Sequence, residues 1–183
     1  YIADRFQQLG LVTDSFNAGP FQEFSIPGPP VRGIEDSNVL RISGLVENPK
    51  LELGVNFTPV ALGSSGPFVG QVVFAGYGIT APDWNYDDYA GLDVAGKVVI
   101  VLRKEPNQND PNSKFDGARP SQHAFFSTKE LNAALHQAAA MILVNDRATV
   151  AAVGHDQLPD VSGAGSSVSD KQIPTLYCLR SVV

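Results

Sequence analysis

Several stretches of this sequence carry residue types that chemistry uses, and each must be tested against its spacing. Residues 91–98 read GLDVAGKV and match the phosphate-loop pattern up to its last position. The hydroxyl that would hold magnesium there is replaced by Val98, and Gly96 and Lys97 lead into a strand where the motif must open a helix. A turn before a strand is therefore the expectation. Residues 76–81, GYGITA, fit the dinucleotide fingerprint with Ala in the third place, and they follow a strand. The PDWNY that comes next does not continue as an apolar-periodic helix, so no helix N-terminus awaits a pyrophosphate. These glycines are expected to turn the chain out of a buried strand. A nucleotide-binding enzyme would rest on these two defective motifs alone.

The acidic and nucleophilic residues give no complete constellation. Asp110, Asn112, Lys114 and Asp116 open like a calcium loop, but Lys114 takes a ligand position and Phe115 replaces the required glycine, so the EF-hand reading fails. Asp83, Asp87, Asp88 and Asp93 form an acidic stretch with no base between them. Calcium held by Asp87 and Asp88 is one reading of it; a solvated turn with Asp caps is the favoured one. His123, His136 and His155 lack sequence-local metal spacing, and His136 reads as a packing or surface residue within a helix. Residues 63–66, GSSG, are one residue short of a nucleophile elbow and read as a turn. No pair of carboxylates stands out as an acid/base couple.

Composition bounds the classes further. The 183 residues are 43% hydrophobic and 17% charged, enough to bury one ordinary domain core. Thirteen Lys and Arg against 19 Asp and Glu give a net charge of −6, which argues against nucleic acid or an anionic membrane as partner. The lone Cys178 excludes an intrachain disulfide and a cysteine zinc site. No apolar run approaches the roughly 18 residues that span a bilayer.

The elements that must position these groups differ between the two halves. Ile2, Phe6 and Leu9 fall at i, i+4 and i+7 and predict a short helix ending at Gly10. The first half then reads as β-rich, with short strands expected at 21–26, 38–43 and 51–62, and a stronger one over 68–77 whose VVFA core predicts burial on both faces. In the second half KVVIVLR at 97–103 predicts a central strand. Ser127 and Glu130 have capping-box spacing, and Leu131, Ala134, Leu135 and Ala138 supply a helical stripe. MILV at 141–144 resumes as strand, so a strand–helix–strand unit with two parallel strands is expected. Between that strand and helix, residues 104–126 have almost no periodicity, and a loop of this length is usually functional or disordered. A second soft stretch, 154–172, is rich in Ser, Gly and Asp, and 173–183 is again strand-like.

Taken in order, these segments resemble a known family. YIADRFQQLGL at 1–11, VVFAGYGITAPDWNYDDYAGLDVAGKVVIVLRKEP at 72–106 and NDPNSKFDGARPSQHAFFSTKELNAALHQAAAMILVND at 109–146 are similar to the protease-associated domain of zinc aminopeptidases. The bacterial branch related to the transferrin receptor and glutamate carboxypeptidase is the best match, and the loop at 109–124 points to the aminopeptidases within it. One departure is visible. Gln137 stands where many members carry Gly before an Ala pair, which is expected to loosen the helix-to-strand joint.

The resemblance implies an α/β, β-rich fold: a swivelling β/β/α protease-associated domain over residues 21–183. Residues 1–20 would be a helix and linker from the neighbouring catalytic domain into which it is inserted. The parent would carry two zinc ions, whose ligands begin with a His-x-Asp motif that this sequence does not reach, and a metal-activated water would attack the first peptide bond of a chain. No zinc ligand and no catalytic residue can be carried onto a position here, so the segment itself needs no cofactor. Its implied role is a lid, a cleft wall or an interaction module. The partners are then the parent catalytic domain and peptide substrates or proteins, in an exported enzyme, with no nucleic acid and no membrane insertion. Asp116, Arg119 and His123 in the long loop are the candidate substrate contacts, since a guanidinium pairs with a peptide carboxylate and an imidazole can bridge. The rival reading ties that loop down internally through the same residues. A stand-alone peptide- or protein-binding module without a catalytic neighbour is the alternative function.

Overall fold

A computed structural model describes residues 1–14, 19, 21, 37–44, 50–115, 117, 119–160 and 172–183. All but Phe21 of the expected strand at 21–26, and most of the soft stretch at 154–172, lie outside the described residues.

The fold is built on five strands: β1 (Phe57–Pro59), β2 (Val72–Phe74), β5 (Val98–Leu102), β6 (Ala140–Val144) and β7 (Thr175–Cys178), with β3 (Thr80–Ala81) and β4 (Tyr86–Asp87) forming a separate two-stranded hairpin. The order across the main sheet is β1-β7-β6-β5-β2. β2, β5, β6 and β7 run parallel, and β1 pairs antiparallel with β7. Helix α2 (Phe126–Leu135) crosses over from β5 to β6, and α3 (Arg147–Val153) stands between β6 and β7. The chain is thus an α/β, β-rich domain with the expected strand–helix–strand unit.

Alternation along the strands divides the core in two. Val99, Val101, Met141, Leu143 and Tyr177 face α2 and pack with Ala133, Ala138 and Tyr89. Val98, Ala140, Ile142, Val144 and Cys178 face the other way, onto Leu40, Phe57 and Val182. All five residues of β6 are buried because both of its faces are covered, which is why MILV reads as an unbroken apolar run.

Four expectations need correction. The VVFA run at 72–75 is not buried on both faces: β2 is an edge strand, Phe74 is 58% exposed, and only Ala75 is fully enclosed. Residues 38–43 form no strand; Leu40 and Ile42 pack on the second core without a ladder partner. Of 51–62, only Phe57–Pro59 is strand. Finally, α2 begins one residue before Ser127, with Phe125 at its N-cap and no side-chain cap, and its buried face is rotated from the predicted one. Leu131 and Leu135 are exposed, whereas Lys129, Glu130 and Ala133 are turned inward. Glu130 does not reach back to cap the helix; its Oε1 accepts the Ile173 N–H at 2.8 Å and so fixes the approach to β7.

Helix α1 (Ile2–Gln8) forms where predicted, and Gly10 at φ 74° closes it with the paired bonds Gly10 N–H to Gln7 O and Leu11 N–H to Phe6 O. None of its residues is buried. Helix α3 was not anticipated; Asp146 caps it by accepting the Thr149 N–H at 2.6 Å, and Gly154 ends it at φ 88°.

Candidate functional site

The chemically capable side chains gather where β2, β5 and β6 end. After β2 the chain turns through Gly76 and Gly78, at φ 51° and 65°. A Cβ on Gly76 would sit 2.4 Å from Asp88 Oδ1, and one on Gly78 would sit 2.8 Å from Val101 Cγ1, so both positions require glycine twice over. The turn is a small nest of backbone N–H groups, and the chain fills it with its own carboxylate. Asp88 Oδ2 accepts the N–H groups of Tyr77 and Ile79 at 3.0 and 3.1 Å, and Oδ1 accepts the Tyr86 hydroxyl at 2.8 Å. The glycine motif therefore serves an internal aspartate, and the turn before β5 at 91–97 is likewise the simple turn its sequence predicts.

Helix α2 locks the same turn from the other side. Lys129 Nζ donates to the Tyr77 carbonyl, and Asn132 Nδ2 donates to the Gly78 carbonyl at 3.1 Å. Lys129 has no exposed surface. Burial depresses its pKa to about 7, against the opposing pull of the carboxylates of Asp88, Glu105 and Asp146. Each of those acids begins or ends a different connection. Glu105 accepts the Ser121 N–H at 3.0 Å and its hydroxyl at 2.5 Å, clipping the two ends of the long loop together. Asp146 caps α3 and accepts from Gln108 Nε2 at 2.8 Å.

Within the clip, Phe115 is buried in an aromatic cage. Trp84 and Tyr86 from the β3–β4 hairpin meet it edge-on, with centroids at 5.1 and 5.0 Å. Lys114 donates to the Trp84 carbonyl at 3.0 Å and lies 4.9 Å from the Tyr86 ring centre. The start of the loop is left free to face solvent, as the turn in which Asp110 N–H donates to Asn107 O at 2.9 Å. Residues 107–110, Tyr77 and Ala148 line an open cleft of about 380 Å³. It lies past the carboxyl ends of three parallel strands, the usual side for a ligand in such sheets, although the strand order shows no reversal there.

A family model described as the PA domain matches residues 65–181, which cover the main sheet from β2 to β7, the loop and the cleft. This chain belongs to the PA domain family. No curated protein matches it significantly. Among solved structures, an aminopeptidase from Aneurinibacillus sp. strain AM-1 is similar at 20% identity and a TM-score of 0.41, covering 69% of this chain and 25% of its own. The chain thus spans about a quarter of the length of that enzyme.

The PA domain places the sequence-derived candidates unevenly. Arg119 is exposed and makes no ion pair or hydrogen bond with a described residue. His123 is half-buried and packs edge-on against Trp84 at 4.8 Å, and desolvation lowers its pKa. Among the described residues its Nδ1 has no hydrogen-bond partner. Asp116 lies outside the described residues. Asp88 is committed to the nest, and Asp87 accepts from Thr80 Oγ1 at 3.1 Å and Tyr89 N–H at 3.0 Å. Both uses match the capped-turn reading of the acidic stretch. His136 stacks on Tyr89 at 4.3 Å and stands 3.3 Å from Thr80 Oγ1. There the aspartate orients the hydroxyl and not the imidazole, so Thr80 has no oriented base. Among the described residues no three His, Cys, Asp or Glu side chains come together. These residues do not fit a zinc centre. Reading the sequence missed Lys129, Glu105 and Ser121. The only local signal for them was a charged residue at each border of an aperiodic loop.

Proposed function

We propose that this PA domain is a non-catalytic part of a zinc aminopeptidase that removes N-terminal residues from peptides, and that it serves there as a wall of the substrate cleft. The observation that carries this reading is the construction of the loop between β5 and α2. Its ends are clipped by Glu105 and Ser121, its middle is anchored by Phe115, and its polar residues Asn107, Asn109, Asp110 and Arg119 are exposed. A loop fixed by buried polar bonds loses little entropy when it meets a ligand, which suits a preformed contact surface. The match to the PA family supports the assignment. The polar side chains brought together at the sheet's end are spent on this scaffold, which suits a supporting part better than a reacting one.

Hydrolysis of leucyl 4-nitroanilide with added zinc tests it, on the full parent and on the 183-residue chain side by side. The parent is expected to cleave and the chain alone to be silent. Arg119→Ala in the parent, assayed on a tripeptide, is expected to raise KM by roughly tenfold with kcat unchanged, as loss of one charge-assisted contact to a substrate carboxylate would. Turnover by the isolated chain, or an inactive parent, would sink the proposal.

A further inference from the structure

The cleft beside the loop has a chemistry that selects its occupant. Its lining comprises one phenol, three carboxamides, one carboxylate and one methyl group: Tyr77, Asn107, Gln108, Asn109, Asp110 and Ala148. None of these is cationic, and the Lys129 ammonium that holds the Tyr77 carbonyl has no exposed surface. A carboxylate or phosphate would find no counter-charge among these six residues.

The one charged group in the lining is an acceptor, and each carboxamide sets an oxygen beside its N–H donors. Gln108 spends Nε2–H on Asp146 and keeps Oε1. Asp110 spends Oδ1 on the Asn112 N–H, at 2.8 Å, and keeps Oδ2. Asn107 and Asn109 keep their carboxamides uncommitted among the described residues. An ammonium presents three donors and a positive charge, so it can pair with the Asp110 carboxylate and with the carboxamide oxygens together. The net charge of −6 draws a cation towards the surface in the same sense.

We propose that this cleft binds an alkylammonium group carried by a peptide, with Asp110 as its charge partner and the oxygens of Asn107, Gln108 and Asn109 as further acceptors. The proposal deepens the reading of the domain as a peptide-contacting wall and rests on it. Two parts of a peptide carry such a group, the free N-terminus and a lysine side chain.

Titration of the ¹⁵N-labelled chain with three small peptides tests the site and separates the two sources. The probes are leucyl-glycyl-glycinamide, its N-acetyl form, and N-acetyl-lysyl-glycyl-glycinamide. Backbone signals of Tyr77 and residues 107–110 are expected to shift with a peptide that bears an amine and to stay in place with the acetylated leucyl form. A response to the first probe alone assigns the N-terminus; a response to the lysyl probe alone assigns the side chain. Asp110→Asn keeps the oxygen that accepts from Asn112, so the turn survives, and it is expected to weaken amine binding about tenfold. Equal binding of the acetylated leucyl peptide, unaltered binding by Asp110→Asn, or no shift with any probe would overturn the site. Loss of this subsite in a parent that still cleaves leucyl anilide would leave the domain's place in the enzyme intact, and amine binding in a chain with an inactive parent would do the reverse.

Discussion

Lys129 joins four segments through one buried ammonium: α2, the Gly76–Gly78 turn, the start of the long loop and the cap of α3. The surrounding carboxylates pull its proton affinity up and desolvation pulls it down further, to about 7. The sign of the linkage follows. Between about pH 7 and the ordinary lysine value the unfolded chain holds a proton that the folded chain has lost, so stability rises with pH across that window. Urea unfolding midpoints between pH 7 and 9.5 are expected to climb, by at most about 1.4 kcal/mol per pH unit from this group. Lys129→Met is expected to remove that slope; a variant with the wild-type slope would show that another group titrates. Nothing in the sequence announced Lys129, because a lysine in a helix reads as a surface residue. The Glu105–Ser121 clip was hidden for a different reason, since its partners are separated by the whole loop. Asp88 was visible as part of an acidic stretch, but its partners are backbone amides, which no residue pattern can display.

At the scale of elements, the joint between α2 and β6 tests the one visible departure from the family pattern. Gln137 occupies the left-handed region at φ 64°, and the bonds Ala138 N–H to Ala133 O and Gln137 N–H to Ala134 O complete the paired closure normally made with glycine. The joint is not loosened; Gly96 N–H and Lys97 O hold Gln137 and Ala139 in place, and the cost is carried as backbone strain. Gln137→Gly is expected to stabilise the domain by about 0.5–1 kcal/mol, the relieved strain less the added chain entropy. That corresponds to a rise in Tm of about 1–4 °C, readable by thermal denaturation. β5 and β6 were legible because interior parallel strands must be apolar on both faces. The same rule misled at β2, whose apolar run lies on an edge. It failed at α2 as well, where two exposed leucines outvoted a buried face made of Lys129, Glu130 and alanines.

For the molecule as a whole, the two cores meet at β6 and β7, and Cys178 lies in the second of them with no exposed surface. Burial pushes its thiol up to about 12, so neither access nor ionisation favours reaction in the folded state. An aromatic disulfide reagent is expected to label Cys178 only as fast as the domain unfolds globally; rapid labelling in native buffer would show that β7 opens on its own. The strand order has a consequence for how the chain comes to this state. β2, β5, β6 and β7 lie side by side in the order in which they are synthesised, so each can dock on its predecessor as it emerges from the ribosome. β1 is the exception. Phe57 is made before the other four strands, yet its partner is Cys178 in the last of them, so this strand waits for all of them before it finds its place.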